Sequence, residues 1–129
     1  DHRDLHSFPT RRSSDLTIKY MLENDVPGMC KEKGKFLKSK LVGLKEKYPT
    51  VIDDVRGEGL MLAVEFCTSD VGYSVAKGLF SRGVMTAGTL VNAKCIRFEP
   101  AAVITEEEMT QVIERMDAAL TDAKEEFSL

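Results

Sequence analysis

The sequence predicts an α+β fold, a two-layer sandwich in which helices pack on a sheet. Three observations carry this expectation. Leu60, Leu62, Val64 and Phe66 alternate with Met61, Ala63 and Glu65, the period-two pattern of a strand with one strongly buried face. Val71, Val75 and Leu79, with Ala76 and Phe80 offset, give a short helix that stops at Gly83, a residue suited to a left-handed cap. Met109, Val112, Ile113, Met116, Ala119 and Leu120 then form one apolar stripe at helical spacing. Helices on either side of short strands, without an internal repeat, favour a layered domain over a bundle or a barrel.

The remaining elements follow in chain order. Ile18, Met21 and Leu22 stand at i, i+3 and i+4 and read as the end of an amphipathic helix, stopped by Asn24-Asp25-Val26-Pro27-Gly28. Cys30, Gly34, Leu37, Leu41, Leu44 and Tyr48 recur at spacings of three and four, which predicts a second helix of about five turns that Pro49 and Thr50 close. Val51 to Gly59 reads as a connection whose paired glycines, Gly57 and Gly59, permit a turn or a close backbone approach, and Arg56 is assigned to that turn geometry. Val84-Met85-Thr86 and Cys95-Ile96-Arg97-Phe98 read as two short strands joined through Gly88, Thr89 and Asn92. In the second of these, Ile96 and Phe98 point one way, so Arg97 points the other way with Cys95 and Glu99. Thr105 and Glu108 form a capping box at the start of the last helix, where the hydroxyl and the carboxylate satisfy free backbone donors reciprocally.

Composition narrows the function classes. A chain of 129 residues that is 43% hydrophobic is expected to hold one domain with its own core. The formal charge of -3, with 18 basic residues mixed among 21 acidic ones, offers no basic stripe, so no nucleic-acid partner is expected. The apolar runs are far shorter than a membrane span and no signal peptide is recognisable, so neither membrane insertion nor secretion is expected. Cys30, Cys67 and Cys95 form no C-x-x-C pair and are too scattered for a disulfide framework, and a cytoplasmic location is the expectation.

Residues 1–16, DHRDLHSFPTRRSSDL, have a different character. They hold three Asp, three Arg and both histidines with little periodicity, and they resemble the translation of a sequencing adapter fused to a reading frame. They are expected to be a non-native, disordered tail, which leaves 17–129 as the domain; a natural polar arm and an engineered linker are the alternatives. His2 and His6 are accordingly not proposed as ligands. The domain then begins inside what reads as an ongoing helix, so a longer gene product is expected upstream.

The residues alone identify no nucleophile with an adjacent base, no paired catalytic carboxylates, no metal-ligand spacing and no phosphate-cradling loop. Arg97 is the most suggestive side chain. It lies mid-strand ahead of Pro100, and its planar fork suits a carboxylate through two parallel hydrogen bonds, although a strand arginine is ordinarily a structural one.

Three ordered motifs add specificity: Val55-Arg56-Gly57-Glu58-Gly59-Leu60-Met61, the stretch from Gly88 through Asn92, Ile96, Arg97 and Phe98 to Pro100, and Ile104-Thr105-Glu106-Glu107-Glu108. At matching spacing they closely resemble the class III pyridoxal-phosphate aminotransferases, and the middle stretch looks most like putrescine aminotransferases. The resemblance runs from about Thr17 to the final helix. It implies the C-terminal small domain of a fold type I aminotransferase, with a small, mainly antiparallel sheet backed by helices. In that family a large domain holds pyridoxal phosphate as a Schiff base on a lysine, the small domain closes over the substrate, and the enzyme is a homodimer.

The resemblance also assigns roles. The family's arginine in the I-R-x-x-P stretch binds the substrate α-carboxylate, and Arg97 occupies that position, which makes it the substrate-binding candidate. Lys77 and Lys94 lie outside the family's Schiff-base motif, so no catalytic and no cofactor-binding residue is expected in this chain. The implied reaction moves an amino group from a diamine or ω-amino acid, putrescine foremost, to 2-oxoglutarate or pyruvate, and the chain by itself is expected to be inactive and to bind no pyridoxal phosphate. One departure is that many relatives carry Pro-Pro-Leu where this chain has Pro100-Ala101-Ala102. The alternative function is a stand-alone small-ligand or protein-interaction module that kept the fold without catalysis.

Overall fold

A computed structural model describes residues 9–89 and 92–129, with side chains described from Ser13 onward. The element order is α1 (Pro9–Glu23), α2 (Val26–Lys47), β1 (Ile52–Glu58), β2 (Met61–Phe66), α3 (Ser69–Ser81), β3 (Ala87–Gly88), β4 (Cys95–Phe98) and α4 (Glu106–Phe127). The four strands form one sheet in the order β1-β2-β4-β3, and each neighbouring pair is antiparallel. The expected α+β sandwich with a small antiparallel sheet is therefore the observed architecture.

Pleating divides the sheet into two unlike faces. Leu62, Val64 and Phe66 of β2 and Ile96 and Phe98 of β4 are buried, and they pack with Leu37, Leu41 and Leu44 of α2, Val71, Val75 and Leu79 of α3, and Met109, Met116 and Leu120 of α4. No buried residue among those described is polar or charged, so this core is held by apolar burial at roughly 25 cal/mol per Å² removed from water. The alternating residues of the same strands, including Ala63, Glu65 and Arg97, face away from the helices.

Chain breaks are set by local chemistry. Asp25 takes a left-handed conformation (φ 44°) and its side chain accepts a hydrogen bond from the Gly28 amide, so it caps α2. The break between α1 and α2 is thus shorter than the expected 24–28, because Val26 and Pro27 already belong to the first turn of α2, where a missing amide costs nothing. Gly59 (φ 53°) turns the β1–β2 hairpin, and Gly34 of α2 lies so close that a methyl group there would overlap the Gly59 backbone. The Thr105–Glu108 capping box is present with both hydrogen bonds, Glu108 N to Thr105 Oγ1 at 3.2 Å and Thr105 N to Glu108 Oε2 at 2.8 Å.

Three expectations need correction. The stretch Ile52–Glu58 is a full strand rather than a connection; its outward residues are charged and Gly57 faces inward without a side chain, which erased the apolar alternation. Residues 84–86 are not a strand, and the pairing lies at Ala87–Gly88 instead, because Val84 is drawn down onto the core with its amide bonded to the Leu79 carbonyl. The tail expected to be disordered over 1–16 is helical from Pro9 onward, continuous with α1, since its polar residues oppose no helix geometry; residues 1–8 lie outside the described residues. The apolar residues Ile18, Met21 and Leu22 of α1 are exposed, as is Phe80 of α3.

Helix α4 organises the helical layer. Lys47 Nζ donates to both Asp117 carboxylate oxygens (2.8 and 2.7 Å), Tyr48 Oη shares a hydrogen bond with Thr121 Oγ1 (2.8 Å), and Arg82 meets Asp122 (2.6 Å). Such surface pairs add little each, so the buried stripe carries the stability. Met116→Ala is expected to destabilise the domain by about 2–5 kcal/mol through the cavity it leaves, and Thr105→Ala by about 1 kcal/mol through loss of the cap. Urea denaturation of the two variants checks the order; equal losses would contradict it.

Candidate functional site

The open face of the sheet carries the charged groups, and the strand register arranges them in rows. Arg56 on β1 pairs with Ala63 on β2, Ala63 with Arg97 on β4, and Arg97 with Ala87 on β3. Arginine and alanine therefore alternate across all four strands, with the small Ala63 between the backbone positions of the two arginines. In the next row Asp54 pairs with Glu65 and Glu65 with Cys95.

The two arginines differ in their partners. Arg56 Nη1 lies 3.0 Å from Asp54 Oδ2 and 2.6 Å from Glu65 Oε2, and its Nη2 lies 3.8 Å from the Cys95 sulfur. The Arg56 hydrogen bond, helped by nearby Lys45, holds the Asp54 carboxyl below its ordinary range, and Arg56 followed by Asn92 does the same for Glu65. Arg56 is correspondingly pushed further into its charged form by Asp54 and then Glu65. Among the described residues Arg97 has one long ion pair, with Glu99, Nη1 to Oε1 at 3.4 Å; the two arginine side chains are similarly exposed, 48% for Arg56 and 44% for Arg97.

Glu65 also reaches the loop ahead of β4, since Asn92 Nδ2 donates to its second oxygen at 3.2 Å. Asn92 accepts from the Lys94 amide through Oδ1 (3.0 Å) and donates its own amide to Thr89 Oγ1 (3.1 Å), so it holds the turn that starts β4. Behind the strand the chain turns at Pro100, where the Ile104 amide bonds the Ala101 carbonyl (3.0 Å) and Lys33 Nζ donates to the Ala102 carbonyl (2.7 Å). The Pro-Ala-Ala sequence is thus tied down from α2. A cavity of about 370 Å³ lies against the core side of the end of β4, with Leu37, Phe98, Ile104 and Met109 in its lining, and the chain at Arg97, Glu99 and Pro100 borders it.

Arg97 sits where the alternation of Ile96 and Phe98 placed it, on the face opposite the core, in line with Glu99. Cys95 shares that face but is buried, and burial pushes its thiol pKa up, against the smaller opposite pull of Arg56, so it is not an activated nucleophile. Arg56 is not a turn residue; it is mid-strand and ion-paired. In the sequence Asp54 carries no mark of a site, Glu65 reads only as an outward strand residue and Asn92 only as a loop residue. The outward register of Glu65 opposite Asp54 was implicit in the strand alternation, but only recognition of β1 brings Asp54 and Arg56 beside it. Lys94 directs its ammonium to the Cys67 carbonyl (2.9 Å), and Lys77 lies exposed on α3. Among the described residues no cluster of His, Cys, Asp or Glu is arranged to hold a metal ion, and no helix is long and apolar enough to cross a membrane.

The depressed carboxyl groups of Asp54 and Glu65 predict a pH dependence. Each favours the folded state above the ordinary carboxylate pKa of about 4, and that stabilisation is lost as the pH falls through the lower folded values. Thermal melts of the wild type should therefore lose more stability than Glu65→Gln between about pH 6 and pH 3. A difference between the two that stays constant across this range would show that the ion pair does not act through titration.

The sequence matches a family model, aminotransferase class III, over residues 14–120. The fold superposes on lysine aminotransferase from M. tuberculosis with a TM-score of 0.79 at 24% identity, covering 83% of this chain and 24% of that one. It also matches a thermostable omega transaminase 6-fold mutant from Pseudomonas jessenii (TM-score 0.73, 22% identity, 83% and 25% covered). A third match is acetylornithine aminotransferase from Elizabethkingia anophelis (TM-score 0.72, 24% identity, 79% and 27% covered). The chain spans about a quarter of the length of these enzymes. At such identities the structural likeness establishes the fold alone, whereas the family model covers most of the sequence: the chain belongs to the class III aminotransferase family.

Proposed function

We propose that residues 17–129 are the small domain of a pyridoxal-phosphate aminotransferase and that Arg97 binds the carboxylate of its acid substrate. The observation that carries this reading is the inequality of the two arginines: Arg56 is closely paired with two carboxylates, while Arg97, on the same open face, has among the described residues one long ion pair, with Glu99. A guanidinium there can donate two parallel bonds to a carboxylate. Arg97 orients the substrate and transfers no proton, so its contribution is positional. Beneath it the Lys33 and Asn92 anchors fix the turns at both ends of β4 and so restrict where the guanidinium can point.

The class III family uses pyridoxal phosphate, which supplies an electron sink for amino transfer. Lys77 and Lys94 lie outside the family's Schiff-base motif, so the cofactor's chemistry is assigned to a large domain outside this chain, and the chain by itself to an inactive state. The exposed Ile18, Met21 and Leu22 on α1, with Met61 on β2, and Met85 and Val103 beside the cavity mouth, support a domain that packs against further protein, including a homodimer partner in the complete enzyme. The proposed amino donor is a diamine or ω-amino acid, putrescine foremost, and the acceptor 2-oxoglutarate or pyruvate. The resemblance of the Gly88–Pro100 stretch supports that choice. Residues 1–16 remain assigned to a non-native extension on composition, and the location to the cytoplasm on cysteine usage.

In the complete holoenzyme, Arg97→Lys should raise the KM for 2-oxoglutarate by about tenfold or more, the scale of one lost charge-assisted hydrogen bond, with a much smaller change for the diamine. An unchanged KM for 2-oxoglutarate would end the carboxylate-clasp reading. Incubated with pyridoxal phosphate and dialysed, the 129-residue chain should retain no cofactor absorbance; stoichiometric retention would contradict the division of labour proposed here.

A further inference from the structure

We infer that Asp54 and Glu65 act together as a specificity determinant: they sequester Arg56 and so leave the open sheet face with a single carboxylate site instead of two. This rests on the reading of Arg97 as that site. The geometry is that of a latent second site. Arg56 and Arg97 stand in one row of the sheet with only Ala63 between them. Two strand spacings separate their backbones by about 10 Å, and two arginine side chains reaching toward each other over a methyl group can converge on the two ends of a short dicarboxylate.

The sequestering contacts engage one edge of the Arg56 guanidinium, and its side chain stays 48% exposed. Arg56 Nη1 serves both acids, at 3.0 Å to Asp54 and 2.6 Å to Glu65, and Nη2 turns toward the Cys95 sulfur. Asp54 is set by its place on the same strand, two residues away on the same face. Glu65 is set by the middle strand and by Asn92, which occupies its other oxygen and prevents the carboxylate from swinging away. Lys45, 3.9 Å from the other Asp54 oxygen, holds that carboxylate from the opposite side. Asp54 and Glu65 thus neutralise Arg56, with Lys45 beside Asp54 and Lys94 acting on Glu65, while the ion pair of Arg97 among the described residues is with Glu99 at the longer distance of 3.4 Å. A dicarboxylate that engages Arg97 meets carboxylates, not a free cation, where its second charge would fall. Like-charge juxtaposition of this kind discriminates by exclusion.

The test uses the complete holoenzyme and compares 2-oxoglutarate, with two carboxylates, against pyruvate, with one. Asp54→Asn combined with Glu65→Gln keeps the shapes and removes the charges, and it should lower the KM for 2-oxoglutarate relative to pyruvate by about tenfold with little change in kcat. Glu65→Gln alone should give a smaller shift in the same direction, because Asp54 still holds Arg56. Adding Arg56→Gln to the double variant should abolish the gain. An unchanged ratio of the two KM values in both variants, or a gain that survives Arg56→Gln, would overturn the inference. Arg97→Gln is measured alongside: if it weakens both substrates while the acid variants leave the ratio unchanged, the inference fails and the Arg97 reading stands. If Arg97→Gln changes neither KM, the Arg97 reading fails, whatever the acid variants do.

Discussion

The pleat of β2 is the constraint from which the rest of the molecule follows. Leu62, Val64 and Phe66 enter the helical layer, and between them Ala63 and Glu65 are forced outward. Because side chains alternate with a period of two residues, a slip of one position would put Glu65 into the core and Val64 into water. The apolar cost of that slip fixes the register against β1 and β4, and with it every cross-strand pair on the open face. The spacing of Arg56, Ala63 and Arg97 is thus inherited from hydrophobic packing on the other side of the same strands. Core and candidate site are two readings of one register.

The parts legible in the sequence are those in which local pattern and tertiary role agree. Helix α4 announces itself through the Thr105–Glu108 box and its stripe, and the buried Met109, Met116, Ala119 and Leu120 are those the stripe identifies. Strand β4 is equally plain, since Ile96 and Phe98 inside force Arg97 outside. Strand β1 is hidden because Asp54, Arg56 and Glu58 occupy its outward positions and Gly57 contributes no apolar mark inward. Its membership of the sheet comes from a partner strand rather than from its own composition. The two-residue β3 has no pattern to read at all. Arg97 was reachable by alternation and by family resemblance, whereas the Asp54–Arg56–Glu65 cluster required knowing that β1 and β2 pair, a long-range fact that no single segment contains.

The ion pairs on the open face act more through charge placement than through stability. Exposed pairs of this kind are screened by water and salt and contribute little to folding. Their position matters because each guanidinium projects from a rigid strand, where its partners decide how much of its charge an approaching anion meets. The same residue type therefore has different meanings two strands apart: at position 56 the arginine is paired with two carboxylates, and at position 97 it has one long ion pair among the described residues.

The contact of Gly34 with Gly59 has a mechanical consequence. Where two backbones meet with no side chain between them, nothing soft is available to absorb displacement, and the joint is stiff. Lys38 strengthens it by donating from the same helix to the Gly57 carbonyl at 2.9 Å. Helix α2 and the turn of the β1–β2 hairpin are thereby held in direct contact. Any side chain added at Gly34 must part them, and so displaces the end of the strand that carries Arg56.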